Sequence, residues 1–130
     1  MFALDTNTLI YYFKGMGQVR ENLKRYPPTS VFIPMIVVYE LTVGILKSSS
    51  PTKRLLQLER LLETCRLAPF GLEESQAAAS IRSELEQRGE PIGPLDNLIA
   101  GTAVAGGLTL ITHNTREFKK IPKLMIADWY

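Results

Sequence analysis

Three acidic residues sit where folding alone gives them little reason to be: Asp5, Glu40 and Asp96. Asp5 ends the apolar run Phe2-Ala3-Leu4 and leads into the small polar residues Thr6, Asn7 and Thr8. Glu40 lies inside MIVVYELTVG, where helical spacing lines it up with Ile36, Val37, Val43 and Gly44. A carboxylate buried on such a stripe needs a cation, a metal or a proton, unless the helix turns it to water. Asp96 follows Pro94 in the first turn of a helix, where the dipole favours any acid by under about 1 kcal/mol. Ile99, Ala100 and Ala103 share its face, which again directs it inward.

Each acid also has a plain structural reading. Asp5 suits a helix N-cap, although Thr8 stands where a capping box wants Glu or Gln. The run TLIT ends in polar residues as the first strand does, which adds Thr112 and Asn114 to the candidates; Asn114 equally suits a turn or the cap of the short helix TREFKK. Glu117 is a surface acid or a spare ligand, and His113 receives no chemistry. Two carboxylates about 4 Å apart repel by about 4 kcal/mol at an effective dielectric near 20. No lysine or arginine falls on the faces described, so a divalent ion is the plausible partner. An all-oxygen set suits Mg²⁺ or Mn²⁺ rather than zinc.

The elements that must bring these residues together follow from periodicity and turn chemistry. FALD, VFIP, RLAPF, TLIT and LMIA read as short strands; between them run helices over TNTLIYYFKG, GQVRENLKRY, MIVVYELTVGILKS, TKRLLQLERLLETC, LEESQAAASIRSELEQRG and LDNLIAGTAVAGG. The alternation predicts an α/β fold with a mostly parallel sheet of four to five strands flanked by helices, in a single domain over 1–130. In open α/β sheets ligands gather outside the carboxyl ends of strands, where Asp5 would stand.

The bulk properties exclude more than they assign. With 130 residues and a net charge of +2, the chain has room for one core and announces no nucleic-acid partner by charge alone. Locally, Arg116, Lys119, Lys120 and Lys123 cluster against Glu117, as a solvated face or as a set of phosphate contacts. The single Cys65, late in a helical pattern, excludes an internal disulfide and a cysteine-rich zinc site and reads as a buried thiol. No apolar run is long enough for a membrane span and no signal peptide is evident, so a cytoplasmic protein is expected.

LDTNT, the acid in VVYELTVG, GPLDNLIAGTA and LITHNTREFKKIP together resemble the PIN-domain ribonucleases, specifically the VapC-type toxins of bacterial toxin–antitoxin pairs. The resemblance implies Mg²⁺- or Mn²⁺-dependent cleavage of RNA phosphodiesters. It carries the acidic metal-binding positions onto Asp5, Glu40 and Asp96, the hydroxyl after the first acid onto Thr6, and a fourth position, usually an acid, onto Asn114. Asn114 departs from the pattern there, with Thr112 as a supporting residue and Glu117 as a partial replacement for the missing charge. Lys14 and Lys47 join the basic 116–123 segment as phosphate contacts. The resemblance further implies a structured RNA substrate such as transfer RNA, a VapB-type antitoxin and a homodimer. Two other readings compete. An aspartate-nucleophile phosphatase wants a second acid where Asn7 stands, and a non-catalytic domain would only bind RNA or protein.

Overall fold

The computed structural model describes residues 1–130. In chain order it holds strand β1 (Phe2–Leu4), helices α1 (Thr6–Lys14) and α2 (Val19–Leu23), strand β2 (Val31–Pro34), helices α3 (Met35–Leu46) and α4 (Pro51–Thr64), strand β3 (Arg66–Ala68), helices α5 (Leu72–Gln87) and α6 (Pro94–Gly106), strand β4 (Thr109–Ile111), helix α7 (Thr115–Phe118) and strand β5 (Ile126–Ala127). All five strands run parallel, in the order β3-β2-β1-β4-β5. That is the α/β sheet expected, with helices on its faces.

The order has a mechanical consequence. From β1 the chain builds outward through β2 to β3, then returns across the sheet to lay β4 on the other side of β1. The reversal makes the gap between the ends of β1 and β4 the switch point, where loops diverge to opposite faces and leave a crevice. Ala3, Leu4, Leu110 and Ile111 in these two strands are fully buried, so both faces of the central pair lie in the core.

The second helix and Cys65 differ from the sequence expectation. The second helix is shorter than GQVRENLKRY at both ends: it stops at Leu23, and it starts late because Gly17 takes a left-handed φ of 63°, where a side chain would strike the Tyr130 backbone. Gln18 N–H donates to the Tyr130 carbonyl at 2.6 Å, tying this turn to the chain end. A 3₁₀ turn over Pro28–Ser30 follows it, and Pro34 ends β2 and caps the start of α3. Cys65 is half-buried at the end of α4, not deep in the core; burial raises its thiol pKa.

Helix α6, which carries Asp96, is fixed by its contact with α5. Asn97 donates a 2.9 Å hydrogen bond to the Ala78 carbonyl, and a methyl at Gly101 would stand 2.5 Å from the Ala78 Cβ. Only a bare Cα lets the helices approach so closely. Gly101→Ala should lower stability by about 2 kcal/mol despite alanine's better helix propensity. A denaturant midpoint equal to that of the unsubstituted protein would contradict this packing.

Candidate active site

Asp5 stands at the switch point with both carboxylate oxygens engaged. Its Oδ1 accepts from the Thr8 backbone N–H at 2.8 Å, capping α1, and its Oδ2 accepts from the Thr112 hydroxyl at 2.5 Å. The cap and rim readings of Asp5 therefore both hold, without a capping box. Asp5 N–H donates to the Ile111 carbonyl at 3.1 Å and Thr8 Oγ1 to the same carbonyl at 3.0 Å, so the ends of β1 and β4 are bound through three separate groups. Asp5 and Thr112 are 5% and 0% exposed, a burial that only these bonds make tolerable for a carboxylate.

Glu40 meets this assembly from α3. Thr6, the first residue of α1, donates its hydroxyl to Glu40 Oε1 at 2.7 Å. The helix face that looked apolar in sequence is in fact open along Val43 and Gly44, both exposed, so Glu40 is half-buried at the edge of a space rather than sealed in the core. Thr6 is its immediate hydrogen-bond partner, which reading α3 by itself missed.

Asp96 arrives from the first turn of α6. Burial raises its pKa above the ordinary carboxylate value of 3.8, and the negative charges of Glu40, Asp5 and Glu117 raise it further. Acids from α1's cap, α3, α6 and α7 thus share one electrostatic neighbourhood. No basic side chain forms an ion pair with Asp5, Glu40 or Asp96.

The remaining candidates arrange themselves around this centre. Asn114 is half-buried and its N–H donates to Thr112 Oγ1 at 3.0 Å, which orients the hydroxyl toward Asp5; its side chain makes no cap to α7. Glu117 pairs with Lys120 at 3.2 Å, so Lys120 is committed to an acid of the site and is less available to a ligand than expected. Arg116, Lys119 and Lys123 are exposed. His113 is held by Asp128 at 2.9 Å and stacks on Tyr130 at 4.3 Å. Thr8 was the overlooked residue; its signal was its position three residues after Asp5, where the capping N–H falls.

No three His, Cys, Asp or Glu side chains are gathered tightly enough to form a finished metal cage. The arrangement is a half-open, all-oxygen rim in which the charges of Glu40, Asp5 and Glu117 add to burial in raising the pKa of Asp96. Mg²⁺ commonly keeps several waters and takes one or two carboxylates plus substrate phosphate. Asp5, Glu40 and Asp96 fit a hydrated ion of that kind better than a closed structural site.

Kinship points the same way. The PIN domain family model matches residues 2–124. The tRNA(fMet)-specific endonuclease VapC of Salmonella typhimurium is 35% identical over 129 residues, covering 98% of this chain and 97% of its own. Among solved structures, DNA-bound VapBC from Salmonella typhimurium superposes with a TM-score of 0.91 at 36% identity, covering 99% of this chain and 98% of that one. VapBC2 from Rickettsia felis, bound to a DNA fragment from its promoter, gives 0.90 at 32%, with the same coverage. The chain belongs to the PIN-domain family, and within it to the VapC-type ribonucleases of toxin–antitoxin pairs.

Two outcomes follow from the geometry. Thr112→Val removes the buried donor to Asp5 while keeping shape, and should destabilise the protein by about 1–3 kcal/mol; an unchanged melting temperature would contradict the clamp. Asp96 has a raised folded-state pKa, so its stabilising contribution is present when it is protonated, below 3.8, and is lost as pH rises through the folded value. In chelator, Asp96→Asn should therefore melt higher than the parent at neutral pH, with the gap closing below about pH 4. A gap that widens toward acid would have the wrong sign.

Proposed function

We propose that the chain is a Mg²⁺- or Mn²⁺-dependent endoribonuclease toxin. The observation that carries this is the raised pKa of Asp96 among Asp5, Glu40 and Glu117, with no basic side chain paired to the first three acids. Asp5, Glu40 and Asp96 would hold the ion. When bound, it offsets their mutual repulsion, acidifies water and balances charge on the attacked phosphate. Thr112 and Thr6 fix the rotamers of Asp5 and Glu40, so the carboxylates need little rearrangement. Asp96, half-buried in the first turn of α6, orients the attacking water. Asn114 completes the rim through its backbone bond to Thr112 and presents a neutral amide where Glu117 supplies the nearby charge.

Exposed Arg116, Lys119 and Lys123, with Lys14 and Lys47, would contact flanking phosphates and make binding salt-sensitive; Lys120 contributes after its bond to Glu117 is shared or broken. The names of the relatives support transfer RNA as the substrate. Unpaired loop bases are the usual targets of sequence-specific RNA recognition. The toxin–antitoxin structures support a VapB-type antitoxin as inhibitor. A second copy of the chain would pack on the exposed apolar residues of α3 and α4, among them Met35, Tyr39, Leu46 and Leu56. No helix is long and apolar enough to cross a membrane, and the toxin would act in the cytoplasm, where its RNA substrate is.

The test is cleavage of bulk transfer RNA with Mn²⁺ or Mg²⁺, with and without chelator. We expect cleavage to stop in chelator and return with added ion, and Asp96→Asn to lower kcat at least about 100-fold while the fold persists. Activity indifferent to both would overturn the metal mechanism. Hydrolysis of a small phosphate ester without action on RNA would favour the phosphatase reading instead.

A further inference from the structure

Gly44 has no local reason to be glycine. It lies inside α3, its φ is not positive, and a methyl added to it meets no atom within 4 Å. Glycine in a helix interior is destabilising relative to alanine, so neither backbone geometry nor close packing accounts for it. What lies in front of it does. Gly44 lines a cavity of about 310 Å³ between α1, α3 and α4, at the lower end of the range for small-molecule sites.

The cavity's chemistry narrows what can enter. Ile10, Phe13, Leu41 and Ile45 give it apolar walls, and Ser48 and Gln57 offer hydrogen-bonding edges. Lys14 and Arg54 also line it, and neither is spent in an ion pair. The remaining charged wall is Glu40, so the cavity opens directly onto the acidic rim. A ligand suited to this combination has a flat apolar body, polar edges and a negative charge that Lys14 and Arg54 can pair.

We propose that this cavity receives one unpaired nucleotide of the RNA beside the scissile bond. The base lies against Phe13, its edge meets Ser48 and Gln57, and its phosphate is held by Lys14 and Arg54. The bare Cα of Gly44 leaves the room that a side chain would take. Free cations on the wall favour a nucleotide over a peptide segment as occupant. This rests on the ribonuclease reading of the site, and extends it to where substrate is selected.

Two substitutions at Gly44 test it, since both improve helix propensity and neither meets existing atoms at its Cβ. The measurements are melting temperature, the apparent KM and kcat for bulk transfer RNA with Mn²⁺, and amide shifts on titration with nucleoside 5′-monophosphates. Gly44→Ala should melt higher yet raise KM by about threefold, because its methyl takes part of the room that the bare Cα leaves. Gly44→Leu should also melt no lower than the parent, yet raise KM at least about tenfold with kcat little changed, and lose the monophosphate-induced shifts at Phe13, Ser48 and Gln57. An unaltered KM in Gly44→Leu, a fall in kcat alone, or monophosphates that move no cavity residue in the parent would overturn the proposal. Should the parent bind monophosphates in the cavity but leave RNA intact, the nucleotide site stands and the ribonuclease reading fails.

Discussion

The hydrogen bond from Thr112 to Asp5 joins the ends of two strands that are far apart in sequence and adjacent in the sheet. Everything at the rim depends on it. It holds a nearly buried carboxylate in one rotamer, and the same carboxylate caps the helix that begins immediately after. Through Thr6 that helix reaches Glu40, and across the crevice Asp96 feels both charges. The topology supplies the crevice because the chain reverses direction across the sheet between β3 and β4. One short bond thereby fixes the geometry around which the like charges gather.

Such a cluster is costly for the fold alone. Burial and the neighbouring negative charges raise the pKa of Asp96, which lowers stability at neutral pH, and the chain provides no paired lysine or arginine to offset Asp5, Glu40 or Asp96. The basic residues sit outside this centre instead, on α7 and its continuation and around the cavity by Gly44. An acidic centre ringed by cations suits a phosphodiester chain, which meets positive charge on its flanks and a divalent ion at the reacting phosphate. The VapC-type relatives share this fold over nearly their whole length.

Much of this was legible in the chain itself. Strand-helix alternation was enough to predict the parallel sheet, and the acids were conspicuous because their neighbours on each strand or helix were apolar. What could not be read were relations between elements. Thr6 and Glu40 are 34 residues apart and Thr112 and Asp5 107 apart, so their pairing depends on strand order, which local pattern does not encode. The late start of α2 depends on Gly17 meeting Tyr130. Lys120 looked like an available cation until α7 placed it against Glu117. Gly44 was visible only as a small residue beside Glu40; its significance needed the walls supplied by α1 and α4.

The central claim is that this group of acids is arranged for a divalent ion. Calorimetric titration of the RNA-free protein with Mn²⁺ tests it most directly. The account predicts saturable binding that Asp96→Asn weakens at least about tenfold, while substitution of an acid outside the cluster, Glu63→Gln, leaves it unchanged. Binding that is absent, or equally affected by both substitutions, would contradict it.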